Sequence, residues 1–481
     1  MSGRTHKYAD HTPNVQSASA MRARRCTDPT RRTSPRSVLT SERPQSRAAL
    51  VRARRGVGAC TSARCVSSKH TTVTIASSTE LSTAIAALGK SAVRISNSTT
   101  MVFGPTLRAA RSAAPRMART LATARPQVLL MDDIALAKPD LERLSQRAEV
   151  LVRRPLLTQR NEAKTRDELI QAFAPGGKYA NVRGMYRHFG GARSIRISGR
   201  FDEELVGALP ESLKFIVHNG AGYDQLDIPA LSARGIQAAN VPTVVNAATA
   251  DTALFLLIGA MRRFPLAISQ LHSGVFNQQF PFTSASDPEG KVLGIVGAGG
   301  IGQEFAQKAA HAFGMRVLYH NRSRRSEAQE QEGMPAGRPM TYVASLDELL
   351  EQSDAVSLNC PLTPATKHLI STPQFQRMKK TAVLINTARG PVVDEAALVD
   401  ALEAGEIAGC GLDVYENEPS VHPKLLELAS SKAMLLPHVG TLSLETQTNM
   451  EATCIRNLEH GLDTGALSYT VKEQEGLGLK A

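Results

Sequence analysis

One glycine-rich stretch has the residue types and the spacing to bind phosphate. Gly297, Gly299 and Gly302 follow an apolar, strand-like run, and a helical pattern of apolar residues begins among them. In such a turn the first glycine permits the tight bend, the second lets backbone approach a ligand, and the third lets helix pack on strand. Because a helix N-terminus also offers unpaired N–H groups, the stretch predicts a binding site for the pyrophosphate of a dinucleotide.

The end of the next predicted strand, residues 315–321, indicates which dinucleotide is bound. Asn321 stands where an acidic residue would hold the ribose hydroxyls of NAD(H), and Arg322, Arg324 and Arg325 follow it. Asn321 has no negative charge to repel a 2′-phosphate, and guanidinium groups suit phosphate geometry. The sequence therefore favours NADP(H). NAD(H) stays open as the alternative, because a basic run is also found in solvated loops.

Polar residues also follow three other apolar, strand-like runs. Arg389 follows "AVLINTA", Asp413 follows "AGCGL" with Glu418 five residues later, and His438 follows "AMLLP". Because ligands of parallel α/β sheets bind at the carboxyl ends of strands, these side chains are predicted to face one crevice. Taken singly, each has a plain structural interpretation as a surface charge or a capping residue.

The surrounding sequence indicates two α/β units that position these residues. Strand and helix patterns alternate over residues 126–240, predicted as a substrate domain that residues 441–475 complete. A second alternating series belongs to a predicted cofactor domain, residues 241–440. An apolar helix over Val244–Arg263 is predicted to link the two, and a helix over residues 443–462 is predicted to return to the first. A chain that leaves a domain and returns to it places a cleft between the two domains.

The net charge of +13 is concentrated in residues 1–125, which hold 22 Lys and Arg against four acidic residues, so the remainder carries −5. Residues 1–125 are predicted to form a disordered basic arm. It is interpreted as a mitochondrial transit segment, a polyanion-binding extension or translated sequence ahead of the true start. The rest shows no nucleic-acid footprint. No run reaches the roughly 18 apolar residues of a membrane span, so a cytoplasmic, soluble protein is predicted, mitochondrial if the arm is a transit segment.

The six cysteines show neither a disulfide framework nor the spacing of metal ligands, so no metal site is predicted. Three of them lie in the arm. The other three, Cys360, Cys410 and Cys454, are far apart.

Six motifs, in order, resemble the D-isomer-specific 2-hydroxyacid dehydrogenases, in particular the glyoxylate/hydroxypyruvate reductase and D-mandelate dehydrogenase branch. They are "NGAGYDQLD", "GAGGIGQ", "NCPLT", "NTARGPVVDE", "GLDVYENEP" and "LLPHVG", and the resemblance covers the chain from about residue 126 to 470. It implies a flavodoxin-like substrate domain interrupted by a Rossmann cofactor domain, usually in a homodimer. The basic arm has no counterpart in the family.

The resemblance implies a role for each catalytic candidate. Arg389 would bind the substrate carboxylate and carbonyl oxygen through its forked donors, and backbone amides of Ala221 and Gly222 would hold the carboxylate. His438 would donate a proton to that oxygen as hydride arrives, since an imidazole titrates near pH of about 6.5. Glu418 would pair with His438, favour the imidazolium and fix its orientation.

The resemblance also implies the cofactor contacts. Asp413 would hydrogen-bond the nicotinamide amide. The other implied contacts are Thr249, Gly297, Gly299, Gly300, Ile301, Gly302, Asn321, Arg322, Ser323, Cys360, Pro361, Thr366, Thr387 and Ala388. By contrast, Asp224 and Asp227 are predicted to stabilise a turn. The histidines predicted to be structural or solvent-facing are His218, His311, His320, His368 and His422.

The sequence therefore predicts NAD(P)H-dependent reduction of a small 2-oxo acid, glyoxylate or hydroxypyruvate, to the D-2-hydroxy acid. A D-mandelate dehydrogenase-like enzyme for bulkier 2-oxo acids is the first alternative. A dinucleotide-sensing corepressor of the C-terminal-binding protein type is the second, because that branch keeps the Arg/Glu/His set. Formate dehydrogenases are disfavoured, since they have Gln where this chain has Glu418.

Overall fold

The computed structural model describes residues 125–153, 165–277 and 280–479. The predicted basic arm, and with it the choice among its three interpretations, lies outside the described residues except for Arg125. All described residues fall within one compact unit of the chain.

Five parallel strands form the first sheet, in the order β2-β1-β3-β4-β5. They are β1 (Gln127–Leu130), β2 (Glu149–Val152), β3 (Val182–His188), β4 (Phe215–Asn219) and β5 (Gln237–Ala239). Strand β4, "FIVHN", is buried along its whole length, as expected for a parallel sheet covered on both faces.

Seven parallel strands form the second sheet, in the order β12-β11-β10-β9-β6-β7-β8. They are β6 (Val292–Val296), β7 (Arg316–His320), β8 (Thr341–Tyr342), β9 (Ala355–Leu358), β10 (Val383–Asn386), β11 (Gly409–Leu412) and β12 (Ala433–Leu435). The chain runs outward from β6 in one direction through β7 and β8, and in the other through β9 to β12. The crevice at such a reversal of strand order is the usual ligand site of an open α/β sheet.

Helices connect the strands, and side chains fix where several of them begin. The helices are α1 (Lys138–Arg147), α2 (Arg166–Phe173), α3 (Ala192–Ser198), α4 (Glu203–Ala208), α5 (Ile228–Ala233), α6 (Asn246–Met261), α7 (Phe264–His272), α8 (Gly300–Phe313), α9 (Glu327–Gln331), α10 (Leu346–Gln352), α11 (Thr372–Arg377), α12 (Glu395–Ala404), α13 (Pro423–Leu428) and α14 (Leu444–Thr464). Thr165, Asp202, Asp227, Asp394 and Ser443 each accept a hydrogen bond from the backbone three residues on, which satisfies an N–H that the helix leaves unpaired.

The linking helix α6 lies on the second sheet. Its described bounds fall within the predicted Val244–Arg263. It comes close to β11 because Gly411 has no side chain: a Cβ there would lie 2.8 Å from Leu256 Cβ. Within the described part of the chain, no single helix is long and apolar enough to cross a membrane. Helices α6 and α7 pass that test only as a pair, bent by 71°.

The last helix, α14, returns to the first sheet as predicted. Gly184 on β3 makes room for it, since a Cβ there would lie 2.7 Å from Leu458 Cδ1. The carboxylate of Glu451 accepts hydrogen bonds of 2.7–2.9 Å from the backbone N–H groups of residues 135–137, just ahead of α1. The predicted α/β class, with two parallel sheets and a returning C-terminal helix, is therefore confirmed, whereas the domain boundaries remain a prediction.

Candidate active site

The three predicted catalytic residues lie at one edge of the second sheet. Arg389 follows β10, Glu418 follows β11 and His438 follows β12, and these strands are neighbours. Because the strands are parallel, their carboxyl ends meet at the same edge. Arg389 is close enough for its positive charge to help lower the pKa of Glu418. Residues strung out over 50 positions of sequence therefore come together through strand order alone.

His438 and Glu418 form a hydrogen-bonded pair, with 2.8 Å between Nδ1 and Oε2. A carboxylate only accepts, so Nδ1 is the donor. The N–H of Tyr415 donates to the other oxygen of Glu418 at 3.0 Å. Burial raises the pKa of Glu418, but the hydrogen bond and charge of His438 outweigh it, so the pKa lies below its ordinary value. Glu418 therefore stays ionised near neutral pH and fixes the ring, while Nε2 has no partner among the described residues.

The turn that carries His438 is held by Asp413. The two carboxylate oxygens of Asp413 accept hydrogen bonds from the N–H groups of Val439 and Gly440, both at 2.8 Å. Asp413 is 2% exposed, and burial raises its pKa, which the two backbone bonds offset only in part. Its predicted contact with the nicotinamide remains a prediction. The structure adds a second task, which is to fix the backbone next to His438.

Arg389 contacts both halves of the molecule. Asn386 braces its turn by donating to the carbonyl of Arg389 at 2.9 Å and accepting from the N–H of Ala388 at 3.0 Å. The guanidinium Nε donates to Oδ1 of Asp224 at 2.8 Å, and Asp224 lies in the loop after β4 of the first sheet. A Cβ on Gly222 would lie 1.9 Å from Nη2 of Arg389. The predicted turn-stabilising role of Asp224 is thus replaced by an ion pair that joins the two sheets.

A buried histidine of β4, His218, stabilises the loop that follows this strand. Its Nε2 lies 3.0 Å from the carbonyl of Gly222 and its Nδ1 3.5 Å from Nη1 of Arg187. Burial, and then the charges of Arg187 and Arg389, lower the pKa of His218 well below its ordinary value. The ring is therefore neutral, with its proton on Nε2. Within the described residues the N–H groups of Ala221 and Gly222 have no acceptor, which leaves both for the predicted carboxylate contact.

Sequence reasoning missed one side chain at the site, Phe189. Its ring centroid lies 5.5 Å from that of His438, and His188 stacks on it at 4.7 Å. Phe189 directly follows β3, so an aromatic ring from the first sheet covers the imidazole from the second. The available signal in the sequence was its position at the carboxyl end of a strand.

The glycine-rich turn between β6 and α8 has the predicted form. Gly297 has φ of 95°, in the left-handed region. A Cβ on Gly302 would lie 2.4 Å from the carbonyl oxygen of Gly297, so the helix packs tightly on the strand. Gly299 has open space at its Cβ position and gives α8 no side-chain cap. The N–H groups of Gly300, Ile301 and Gly302 donate to no described residue, as expected of a phosphate-binding turn.

Two basic side chains of the segment after β7 have partners within the fold. Arg324 makes two hydrogen bonds of 2.9 Å with the buried Glu330. Arg325 donates to the carbonyl of Ala298 and, at 2.8 Å, to Gln303, beneath the glycine-rich turn. Both cations therefore have partners within the fold, and their expected contribution to phosphate binding remains a prediction.

Arg322 and Ser323 are exposed, and neither has a partner among the described residues. The side-chain oxygen of Asn321 accepts from the N–H of Ala298 at 2.8 Å, which ties it to the glycine-rich turn and leaves its amide N–H groups as donors. Of the three basic residues, Arg322 alone has no partner among the described residues, and its contact with a 2′-phosphate remains a prediction.

Thr387 tests whether a dinucleotide fits this edge. Its Oγ1 is buried and has no hydrogen-bond partner among the described residues, which costs free energy unless a ligand supplies one. Together with the uncapped start of α8 and the open space at Gly299, this unsatisfied hydroxyl fits a bound nucleotide. Ala388, beside it, has its N–H held by Asn386.

The remaining predicted cofactor contacts shape nearby turns. Thr366 donates to the carbonyl of Pro361 at 2.7 Å and accepts from the N–H of Thr363 at 2.8 Å, which fixes the turn after β9. Burial raises the pKa of the Cys360 thiol to about 11, so it stays protonated. Thr249 is buried in α6, and its methyl group lies 3.6 Å from the Cβ position of Gly440.

The other histidines lie outside this site. His368 has a carboxylate partner that the sequence did not predict, since its Nε2 lies 2.6 Å from Oε1 of Glu416. His320 and His311 contact backbone carbonyls at 3.0 and 3.1 Å. Among the described residues, no group of three or more His, Cys, Asp and Glu is arranged to hold a metal ion.

Comparisons with known proteins agree with this geometry. The profile of "D-isomer specific 2-hydroxyacid dehydrogenase, NAD binding domain" matches residues 254–440, so the cofactor is a nicotinamide dinucleotide. The chain is 43% identical over 353 residues, 73% of its length, to 4-methyl-2-oxopentanoate reductase A of Aspergillus oryzae, of which it covers 99%.

Solved structures are similar over the same part of the chain. A glyoxylate reductase from Paecilomyes thermophila has a TM-score of 0.65 and 41% identity, over 73% of this chain and 99% of that one. The holo form of Rhodotorula graminis D-mandelate dehydrogenase has a TM-score of 0.66 and 31% identity, over 73% of this chain and 98% of that one. An NADPH-dependent glyoxylate/hydroxypyruvate reductase from Sinorhizobium meliloti, in complex with NADP and malonate, has a TM-score of 0.59 and 32% identity, over 73% of this chain and 98% of that one. Site geometry, family profile and full-length relatives lead to one conclusion: this chain belongs to the D-isomer-specific 2-hydroxyacid dehydrogenases.

Proposed function

We propose that the protein reduces a small 2-oxo acid, such as glyoxylate or hydroxypyruvate, to the D-2-hydroxy acid with NADPH. The observation that carries this proposal is the hydrogen-bonded pair of Glu418 and His438 beside Arg389, at the edge of the sheet that also bears the glycine-rich turn. This edge combines a proton donor, a carboxylate-binding cation and a dinucleotide site.

The residues divide the work of reduction. A nicotinamide dinucleotide bound at the glycine-rich turn would supply the hydride for the carbonyl carbon. Arg389 and the N–H groups of Ala221 and Gly222 hold the carboxylate and so orient the carbonyl group. His438, held through Nδ1, donates the proton on Nε2 to the carbonyl oxygen, which becomes the product hydroxyl, and the ring regains a proton from solvent. Glu418 stabilises the charged ring before the transfer and fixes its orientation.

Two features support NADPH over NADH. Asn321 brings no negative charge to the place where an acidic residue would repel a 2′-phosphate. Arg322 is exposed beside it with no acidic partner among the described residues. The Sinorhizobium meliloti relative, which is described as NADPH-dependent, adds support from outside the chain.

A bulkier 2-oxo acid is the second candidate substrate. Support comes from the 43% identity to 4-methyl-2-oxopentanoate reductase A and from the structural likeness to D-mandelate dehydrogenase. Phe189 argues against the bulkiest acids, because its ring lies beside His438 and limits the space on that side.

We also propose a homodimer, on the basis of one exposed apolar surface. Exposed large apolar side chains are concentrated between α6 and residue 282, where they number six: Phe255, Phe264, Ile268, Leu271, Phe276 and Phe282. An apolar hollow of about 190 Å³ lies among them, lined in part by Leu271 and Phe276. Exposed apolar side chains concentrated in one segment, with an apolar hollow among them, favour an interaction site over a solvated face.

A steady-state screen tests the function. Glyoxylate, hydroxypyruvate, 4-methyl-2-oxopentanoate and phenylglyoxylate are each measured with NADPH and with NADH. We expect the highest kcat/KM for one of the two small acids with NADPH. A higher value for 4-methyl-2-oxopentanoate selects the second candidate. Dinucleotide binding without turnover of any acid contradicts the enzymatic proposal and favours the corepressor alternative.

A further inference from the structure

Asp224 and Arg389 form an ion pair between the two sheets. Arg389 Nε and Asp224 Oδ1 are 2.8 Å apart, and each side chain is 25% exposed. Asp224 belongs to the loop after β4 and Arg389 to the turn after β10. Part-buried pairs of this kind are screened less by salt than surface pairs are, so the contact is stronger than a surface ion pair.

The guanidinium of Arg389 is fixed at three points. Nε donates to Asp224, Nη1 donates to the carbonyl of Ala388 at 2.8 Å, and Nη2 lies against Gly222, where no side chain interferes. Within the described residues Nη2 has no acceptor. The pair with Asp224 thus occupies Nε, and the guanidinium keeps Nη2 for an anion.

We propose that Asp224 is a positioning residue that orients Arg389 for binding the substrate carboxylate. The inference rests on the proposed function. An arginine side chain has several rotatable bonds and loses conformational entropy when it binds a ligand, and a fixed carboxylate on Nε removes part of that cost beforehand. Asp224 also neutralises the cation, so the carboxylate is recognised by oriented donors rather than by net charge.

The arrangement predicts a particular kinetic effect. Without Asp224, Arg389 keeps its charge but loses its fixed orientation, so carboxylate binding weakens. The Glu418–His438 pair is on another turn and keeps its contacts, so proton donation to bound substrate is retained. The loss should therefore appear in KM rather than in kcat.

Asp227 provides a matched control. It lies three residues from Asp224, is 24% exposed and caps α5 by accepting from the N–H of Ala230 at 3.0 Å. Asp227→Asn removes the same charge from the same loop, and asparagine is an equally good helix cap.

Kinetics of Asp224→Ala, Asp224→Asn and Asp227→Asn test the proposal. For Asp224→Ala we expect KM for the preferred 2-oxo acid to rise about tenfold to a hundredfold, with kcat changed less. Asp224→Asn keeps an oxygen for Nε and should fall between Asp224→Ala and wild type. Asp227→Asn should match wild type. Equal effects at positions 224 and 227, or a loss confined to kcat, would overturn the assignment.

A binding measurement separates this inference from the proposed function. Oxalate, an unreactive dicarboxylate, is titrated calorimetrically into each protein saturated with NADPH. We expect Asp224→Ala to weaken oxalate binding by the same factor as its KM effect while the affinity for NADPH is unchanged. If wild type turns over 2-oxo acids but wild type and Asp224→Ala bind oxalate equally, only the role of Asp224 is overturned. If wild type neither binds oxalate nor turns over any 2-oxo acid, the proposed function is overturned as well.

Discussion

At the scale of a residue, the backbone of His438 has an unusual conformation. Its φ of 57° lies in the left-handed region, which few residues other than glycine occupy. Such a conformation costs free energy and persists only where the surroundings impose it. Here the two backbone hydrogen bonds to Asp413 impose it, and as a result the imidazole meets Glu418.

Replacing His438 by Asn removes the proton donor with little disturbance of the turn, because asparagine tolerates the left-handed conformation well. We expect turnover of the preferred 2-oxo acid to fall by a factor of about 100 or more. The affinity for NADPH, measured by fluorescence titration, should stay close to that of wild type. A variant with near-normal turnover would show that another group donates the proton.

Replacing Glu418 by Gln should make protein stability depend on pH in a defined direction. The pKa of Glu418 is depressed in the folded protein, so the ionised form stabilises the fold above its unfolded pKa of about 4.3. That stabilisation is lost as pH falls through the lower folded value. Wild type should therefore exceed Glu418→Gln in free energy of unfolding at neutral pH, and the difference should shrink below a pH of about 4.3. Urea denaturation at a series of pH values measures it, and a difference independent of pH contradicts the assignment.

At the scale of the element, the proposed preference for NADPH depends on β7 and the segment after it. Strand β7 begins with the exposed Arg316 and leads at its other end to Asn321 and Arg322. Only the latter end lies beside the glycine-rich turn, as the hydrogen bond between Asn321 and Ala298 shows. We therefore expect a positive charge to contribute to nucleotide binding at that end and not at the other.

Arg322→Ala should raise Kd for NADPH by about tenfold and leave Kd for NADH nearly unchanged, since only NADPH carries the 2′-phosphate. Arg316→Ala removes the same charge from the opposite end of β7 and serves as the control. Titration of each protein with both reduced cofactors measures the effect. Equal losses for the two cofactors, or equal effects of the two substitutions, would exclude Arg322 from phosphate recognition.

Contacts within one sheet could be predicted from sequence, and contacts between the sheets could not. The strands, the glycine-rich turn and the shared edge of Arg389, Glu418 and His438 follow from apolar periodicity and the rules of parallel sheets. The ion pair of Asp224 depends on how the two sheets face each other, about which local patterns carry no information. The pairing of Arg324 with Glu330 was missed for a related reason, because a buried acid six residues away looks like any helical glutamate in the sequence.

At the scale of the whole molecule, the exposed apolar surface between α6 and residue 282 predicts self-association. Phe282 is 80% exposed, and Phe276 is 69% exposed. We expect wild type to have the mass of a dimer by light scattering at micromolar concentration. Phe282→Asp should shift the mass toward the monomer, because a charge is costly to bury in an apolar interface.

Leu477→Asp is the control for that experiment, since Leu477 is 54% exposed and lies near the C-terminus, outside this surface. It should leave the mass unchanged. A wild-type protein that is monomeric at all concentrations would contradict the dimer.

The return of α14 to the first sheet sets the timing of folding during synthesis. The ribosome delivers β1 to β5 first, yet the helix that covers β3 and carries Glu451 emerges only after the whole second sheet. Until α14 is synthesised, the first sheet keeps part of its apolar face uncovered, whereas the residues of the second sheet form one continuous segment of the chain. Premature termination ahead of residue 444 would release a finished cofactor-binding half attached to an unfinished partner, which is the kind of product that chaperones and proteases recognise.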